Sequence, residues 1–343
     1  MNIEKLKEVL KINKQPIFRL RQIIKAVYQD GVSSFGEIFT LPQNLREILE
    51  KEIAILPFSI EKVFVSRDER SAKALLKLID RNFVETVLIS PKTGIWSACV
   101  SSQVGCPMSC LFCATGKGGF KRNLTAEEIT GQILFWKQYL KSNMLKAVNY
   151  KLNNVVYMGM GEPFLNWENV RESIKVLTDK DMLGISSRSI SVSTCGIPEG
   201  IKKLAKEFPQ VNLAISLHFA NDKKRSEFMP INEKYNLGEI KKALEKYFAV
   251  TRRKVFIEYI MLSGENDSLR DAEKLAEYLK SIGDTHLLHV NLINYNAASG
   301  RFKPSSSDKI QDFKNYLLKK HLSATIRKSL GKDIAGACGQ LAG

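Results

Sequence analysis

The spacing of apolar positions changes twice along this chain. Over residues 1 to about 55 it is helical: Ile3, Leu6, Val9 and Leu10, then Phe18, Ile23, Ile24 and Val27, with Gly31 as a stop. Leu41-Pro42 opens a third predicted helix through Leu45, Ile48 and Leu49. Between residues 61 and 101 the period shortens. VFVS, ALLKLI, FVETVLI and WSACVSS read as strands parted by the turns DERSA, DRN and SPKTG, an antiparallel hairpin arrangement feeding the next domain.

From residue 95 strand and helix alternate. The predicted strands are Trp96–Ser101, Asn154–Met158, Ser189–Ser193, Val211–Leu217, Val255–Met261 and Leu287–Ile293. Thr125 and Glu128 form a capping box ahead of a helix carrying Ile129, Ile133, Leu134 and Trp136. Asp267-Ser268 precedes another amphipathic helix, with Leu269, Ala272, Leu275, Ala276 and Leu279. Six βα units predict parallel strands with right-handed crossovers. Six is short of a closed eight-unit barrel, so the expected class is α/β, an open, partial (β/α)6 barrel with its site at the C-terminal strand ends. The expected division is a helical accessory domain (1–60), a β-hairpin linker region (61–91), the barrel (92–331) and a C-terminal tail (332–343).

The chain has 343 residues, 44% of them hydrophobic, enough for one large domain with appendages or for two domains. The charged start MNIEKLKEVLKINKQ has no apolar signal-peptide core, and no apolar run reaches the length of a membrane span. A soluble, reducing, cytoplasmic setting is therefore expected. Lys and Arg number 52 against 36 Asp and Glu, a formal net charge of +16 that favours a polyanionic partner such as nucleic acid. Three clusters are candidates for its contact surface: Lys117, Lys121 and Arg122; Lys223, Lys224 and Arg225; and Arg252, Arg253 and Lys254.

Three of the six cysteines, Cys106, Cys110 and Cys113, fall in the run GCPMSCLFCATG. Three thiolates can hold three irons of a [4Fe–4S] cube and leave the fourth iron open to a ligand. The competing reading is structural zinc, which wants four ligands. No fourth Cys lies beside the triplet and no His within the next hundred residues, although a distant residue folding back would supply one. Further along, Gly159-Met160-Gly161-Glu162-Pro163 follows the second barrel strand, with glycines that let backbone approach a ligand and a carboxylate suited to an ammonium group. Ser193-Thr194-Cys195-Gly196, Ser216-Leu217-His218 and Asn294-Tyr295-Asn296 end the third, fourth and sixth strands. Each alone is equally well a satisfied turn; on successive strands of one rim they favour a polar cofactor pocket. Cys338 sits in the tail GKDIAGACGQLAG, where it is either an inert terminal thiol or a mobile nucleophile.

The C-x3-C-x2-C spacing resembles the radical S-adenosylmethionine (SAM) superfamily. In order, VET at Glu85, CVSSQVGCPMSCLFCATG, MGMGEPFLN, STCG, ISLH, HVNLINYN and DIAGACGQL are similar, over essentially the whole chain, to the RlmN/Cfr family of radical SAM methyltransferases acting on an adenosine of 23S ribosomal RNA. The resemblance implies a radical SAM barrel, a [4Fe–4S] cluster on Cys106, Cys110 and Cys113, and two SAM molecules per turnover. One methylates the tail residue Cys338; the other yields a 5′-deoxyadenosyl radical that activates that S-methyl group toward the base. Cys99 then resolves the protein–RNA adduct as a Cys99–Cys338 disulfide, and Glu85 accepts the proton from the substituted carbon. Gly161, Glu162, Ser193, Ser216, Leu217, His218 and Asn296 match SAM contacts. Cys195 stands where many relatives have Ser, and Ala297 where Pro is common. Glu162-Pro163, with no Ile at Cys195, is closer to the RlmN branch and carbon 2 than to the Cfr branch, which shows GEA and methylates carbon 8. Transfer RNA as a second substrate and a flavodoxin-like electron donor are implied with it.

Overall fold

The computed structural model describes residues 1–143, 151–297 and 301–342; Gly343, the last residue of the predicted tail, lies outside them. Helices α1 (Ile3–Ile12), α2 (Phe18–Ile24, running on through Lys25–Gln29) and α3 (Gln43–Glu52) form a module with its own core around Leu6, Val27, Phe35 and Leu49. The expected helical start is present.

The next strands, β1 (Phe58–Val65), β2 (Ser71–Leu78), β3 (Phe83–Lys92) and β4 (Ile95–Cys99), pair antiparallel in sequence order. A two-stranded ribbon, β5 (Gln103–Gly105) with β6 (Phe120–Asn123), brackets the cysteine loop and the short α4 (Ala114–Lys117). The cysteines therefore follow the first barrel strand, β4, by way of this ribbon. They cap a hairpin whose strand β5 is only three residues long, too short for a periodic signal.

Beyond the ribbon the chain runs α5 (Ala126–Asn143), β7 (Leu152–Tyr157), α6 (Trp167–Thr178), β8 (Ile190–Thr194), α7 (Pro198–Glu207), β9 (Asn212–Ser216), α8 (Asp222–Phe228), α9 (Leu237–Thr251), β10 (Val255–Met261), α10 (Leu269–Ile282), β11 (Leu288–Asn294), α11 (Ser307–Lys319) and β12 (Ser323–Arg327). Strands β4, β7, β8, β9, β10, β11 and β12 pair parallel in that order. The six expected βα units are present, from β4-α5 to β11-α11, and a seventh parallel strand, β12, follows the last helix. The pattern missed β12 because SATIR is half-exposed and carries few apolar residues. Together with β1–β3 these strands make one ten-stranded sheet, so the segment expected as a linker is hydrogen-bonded into the barrel sheet.

The inner strands are buried on both faces, as in Leu213-Ala214-Ile215, because helices cover the outside and side chains fill the inside. Thr125 and Glu128 cap α5 reciprocally: the Thr125 N–H donates to Glu128 Oε2 at 2.9 Å and the Glu128 N–H to Thr125 Oγ1 at 3.2 Å. Helix α5 is buried on two sides because it lies between barrel and module. Its Leu134 belongs to both cores, and Lys137 Nζ and Gln138 Nε2 donate to the carbonyls of Tyr28 and Val32.

The basic clusters divide differently from the expectation. Arg225 has no exposed surface and is an internal residue. Arg252, Arg253 and Lys254 precede β10, at the barrel end opposite the cysteine loop. Arg122 donates to Asp80 at 2.6 Å and to both oxygens of Glu128 at 2.8 and 2.9 Å, so it ties the β2–β3 turn to the ribbon rather than presenting a free charge.

Candidate functional site

The strand ends and the cysteine loop enclose a cavity of about 170 Å³. Cys106, Cys110 and Cys113 line one wall, and Gly161, Glu162, Ser193, Ser216 and His218 line another. Cys338 of the tail lines it too. A second cavity of about 330 Å³ adjoins it and holds Cys99. The two share Cys113, Met158, Gly159, Arg327, Cys338 and Gly339 in their walls, so the tail thiol stands at their boundary. All six cysteines are free thiols.

The turn after β7 is built by close backbone packing. Gly161 adopts φ +103°, and a Cβ there would lie 2.6 Å from Gln103 Cβ; only glycine fits. Gln103 Oε1 in turn accepts the Glu162 N–H at 2.9 Å. Glu162 is buried, and each carboxylate oxygen accepts a backbone N–H, from Phe164 at 3.1 Å and from Cys195 at 2.8 Å. Burial raises its pKa, against those hydrogen bonds. The carboxylate therefore pins the ends of β7 and β8 together as well as facing the cavity.

Ser193 and Ser216 share a hydrogen bond at 3.2 Å across β8 and β9. His218 holds a left-handed backbone at φ +60°, uncommon for a residue with a Cβ. Its Nδ1 accepts the Ile260 N–H at 3.2 Å, which leaves Nε2 to carry the proton of the neutral ring. Burial, with the nearby Arg225 guanidinium, pushes its pKa down to about 3. Phe112 of the cysteine loop meets the ring edge-on at 5.1 Å. Leu217 does not line the cavity: its side chain is in the core, between the cavity-lining Ser216 and His218.

The tail lies over the rim. Asn296 Nδ2 donates to the Cys338 carbonyl at 3.4 Å, while its buried Oδ1 has no partner among the described residues. The Ala114 N–H donates to the Gly339 carbonyl at 2.8 Å and Thr115 Oγ1 to that of Leu341 at 2.6 Å. Glu85, on β3, is paired with Lys73 at 2.7 Å and accepts the Ala342 N–H at 2.8 Å, so it lies under the last turn of the tail rather than in either cavity wall. Desolvation pushes the Cys99 thiol up to about 12 and raises Cys338 as well. The guanidinium of Arg327 opposes both shifts. Arg327 closes β12 and is held by Glu258 at 3.3 Å, which also accepts from Asn291 at 2.9 Å. Sequence reasoning missed Arg327 and Glu258 together with β12; the alternation Ala324, Ile326 against Thr325, Arg327 was the available signal.

Residues 100–279 match the family model of the radical SAM superfamily. A protein of Clostridium botulinum (strain Okra / Type B1) named ribosomal RNA large subunit methyltransferase Cfr is 43% identical over 339 residues, covering 98% of this chain and 96% of that protein. A Bacillus velezensis protein of the same name is 40% identical over 343 residues, covering 99% and 95%. A crystal structure of a radical SAM methyltransferase from Sphaerobacter thermophilus superposes with a TM-score of 0.91 at 36% identity, covering 99% of this chain and 97% of that one. The chain belongs to the RlmN/Cfr family of the radical SAM superfamily. That membership implies a [4Fe–4S] cluster and SAM.

The residues present fit both groups. Among the described residues no three His, Cys, Asp or Glu side chains are close enough to hold a single metal ion. A cube does not require that, because each thiolate binds a different iron corner. The wall opposite the thiols is polar, with the Ser193–Ser216 pair and Glu162, and the unpartnered Asn296 Oδ1 is an acceptor awaiting a donor. As in other members of the RlmN/Cfr family named above, nearly the whole chain is covered by the likeness. Among the described residues no helix is long and apolar enough to cross a membrane.

Proposed function

We propose that this chain methylates carbon 2 of an adenosine in 23S ribosomal RNA, using Cys338 as the carrier of the incoming carbon. The observation that carries this reading is the place of Cys338, on the wall common to the cysteine-lined cavity and the cavity that holds Cys99. A thiol there reaches a cofactor on one side and a resolving thiol on the other.

Cys106, Cys110 and Cys113 would hold the cluster. Gly161, Glu162, Ser193, Ser216, His218 and Asn296, with the backbone of Leu217, would hold SAM. Bound there, the two groups supply one-electron chemistry able to take a hydrogen atom from a methyl group. Cys338 would lose its proton and its thiolate would take a methyl group from a SAM sulfonium, whose methyl–sulfur bond breaks to leave a neutral thioether. Cys338 is an exposed residue at the rim, and the nearby Arg327 guanidinium favours its thiolate. Glu85 takes the proton from the substituted carbon, with Lys73 fixing its carboxylate. Cys99, as a thiolate, attacks Cys338 Sγ: the S–S bond forms as the Sγ–C bond breaks. The electron pair stays with the departing carbon, which takes a proton to become the product's methyl group, and an external dithiol reduces the disulfide. Two SAM molecules per turnover, a flavodoxin-like electron donor, a cytoplasmic setting and transfer RNA as a second substrate belong to the same proposal.

Carbon 2 rests on Glu162-Pro163 and on Cys195 in place of Ile. Carbon 8 is the second reading, favoured by the name Cfr on the full-length relatives. Mass spectrometry of digested ribosomal and transfer RNA from a methylation-deficient strain carrying this gene separates them. We expect 2-methyladenosine; 8-methyladenosine would overturn the assignment.

A further inference from the structure

Arg225 is a charged side chain with no exposed surface. Its hydrogen bonds all go to neutral groups: Nε to the Leu217 carbonyl at 3.2 Å, Nη1 to Asn232 Oδ1 at 2.7 Å and the Tyr235 carbonyl at 3.4 Å, and Nη2 to the Cys195 carbonyl at 2.6 Å. Among the described residues no carboxylate lies within ion-pair distance of it. The acid it reaches indirectly is Asp222, through Asn232, whose Nδ2 donates to Asp222 Oδ1 at 3.1 Å. Asp222 Oδ1 also accepts the Leu237 N–H at 2.9 Å.

A buried cation matched only by dipoles is costly, and natural proteins pair such charges. Burial accordingly lowers the pKa of Arg225, while the fields of Cys195 and Cys110 oppose that shift. The position of the guanidinium accounts for this. Helix α8 carries it, and the Phe228 carbonyl at the end of that helix accepts the Leu111 N–H of the cysteine loop at 3.0 Å. On its other side, Cys195 Sγ lies 3.2 Å from Met108 Sδ, again in the cysteine loop. Arg225 thus sits behind the loop that carries Cys106, Cys110 and Cys113, shielded from water.

We infer that Arg225 is the fixed counter-charge of the iron–sulfur cluster and raises its reduction potential. This rests on the three cysteines holding that cluster. Three thiolates make the assembly anionic, and reduction adds one further negative charge. A cation fixed nearby in a low-dielectric surrounding stabilises the reduced form more than the oxidised form. Asp222 opposes that field from the far side of Asn232. Arg225 acts here as a positioning and tuning residue, not as a group that touches substrate.

The test is an anaerobic redox titration of the full chain with reconstituted cluster, followed by electron paramagnetic resonance, with iron and sulfide assayed in every sample. Arg225→Gln should lower the reduced-to-oxidised ratio at a fixed ambient potential at least tenfold, which for one electron is about 59 mV. Arg225→Lys, which keeps the charge and loses the hydrogen-bond fork, should stay within about threefold of the parent. Asp222→Asn, which leaves the contacts of Arg225 in place, should shift the ratio the other way. A fully loaded Arg225→Gln protein with the parent potential overturns the inference. If that variant fails to assemble a cluster, Asp222→Asn decides: an unchanged potential overturns the inference and an upward shift supports it. If the parent chain itself takes up no iron or sulfide, it is the cluster assignment that fails, and the inference falls with it.

Discussion

The backbone N–H of Ala342 donates to Glu85 Oε2 at 2.8 Å, joining residues 257 positions apart in the sequence. The tail that carries Cys338 is therefore anchored on the carboxylate proposed to take the product's proton. Ala342→Pro removes that donor and nothing else polar. It should loosen the last turn by about 1.5–3 kcal/mol, the usual worth of a hydrogen bond to a charged group. Faster hydrogen exchange at Gly339–Leu341, with the barrel strands unchanged, is the expected result.

Cys338→Ala should abolish methyl transfer while iron and sulfide content stay at the parent level. Cys99→Ala should allow the carbon to attach to RNA but block release. Covalently bound RNA should then co-purify with that variant. A Cys99→Ala protein that turns over normally would remove Cys99 from the resolving role.

Lys73 and Glu85 form a buried ion pair at 2.7 Å. Replacing Lys73 takes a counter-charge from a buried carboxylate, so Lys73→Met should destabilise the fold by about 3–5 kcal/mol. Lys73→Met with Glu85→Gln should cost less than Lys73→Met alone, because the buried negative charge is removed as well. Urea unfolding of the parent, Lys73→Met, Glu85→Gln and the double variant measures these costs and the coupling between the two residues.

His218 titrates near 6.5 when unfolded and near 3 in the folded protein, with burial the larger cause and Arg225 the second. Between those values the unfolded chain binds a proton that the native one refuses. Stability is thus fully present above pH 6.5 and falls as pH drops toward 3, with a slope from this group of up to about 1.4 kcal/mol per pH unit. His218→Asn, which keeps an acceptor for the Ile260 N–H, should flatten that slope in the metal-free protein. An identical acid limb in both proteins would show that His218 does not carry it.

Arg122 is committed to Asp80 and Glu128. Arg122→Glu should therefore lower the melting temperature through repulsion at the ribbon. Lys121, whose Nζ donates to Asn82 Oδ1 and which is in no ion pair among the described residues, is the better probe of RNA contact. Lys121→Glu should weaken RNA binding and reduce its salt dependence by about one phosphate's worth.

Much of the architecture was legible in the chain. The three N-terminal helices and six of the seven parallel strands follow from apolar periodicity, since each element buries one face or both. The observed strand bounds Val255–Met261 equal the expected ones, because VFIEYIM is apolar but for Glu258 and is paired on both edges, which leaves little room for fraying. β12 was not legible because an edge strand with half its residues exposed carries a weak pattern. Leu217 was placed among the cofactor contacts with its neighbours, yet its side chain faces the core: adjacent residues at a strand end point to opposite faces.

The sequence alone determined the cysteine spacing, the order of rim motifs and the alternation of strand and helix, because these are local matters of residue type and period. Only the tertiary structure decided which charges are free. Arg225 reads as one of three consecutive basic residues, and Arg122 as part of a basic patch, but folding buries the first and pairs the second. It likewise decided that Cys338, Cys99 and Cys113 line adjoining cavities and that Glu85 and Lys73 meet. The physical reason is that burial and Coulomb partners depend on distances between residues far apart in the chain, and no local pattern encodes those distances.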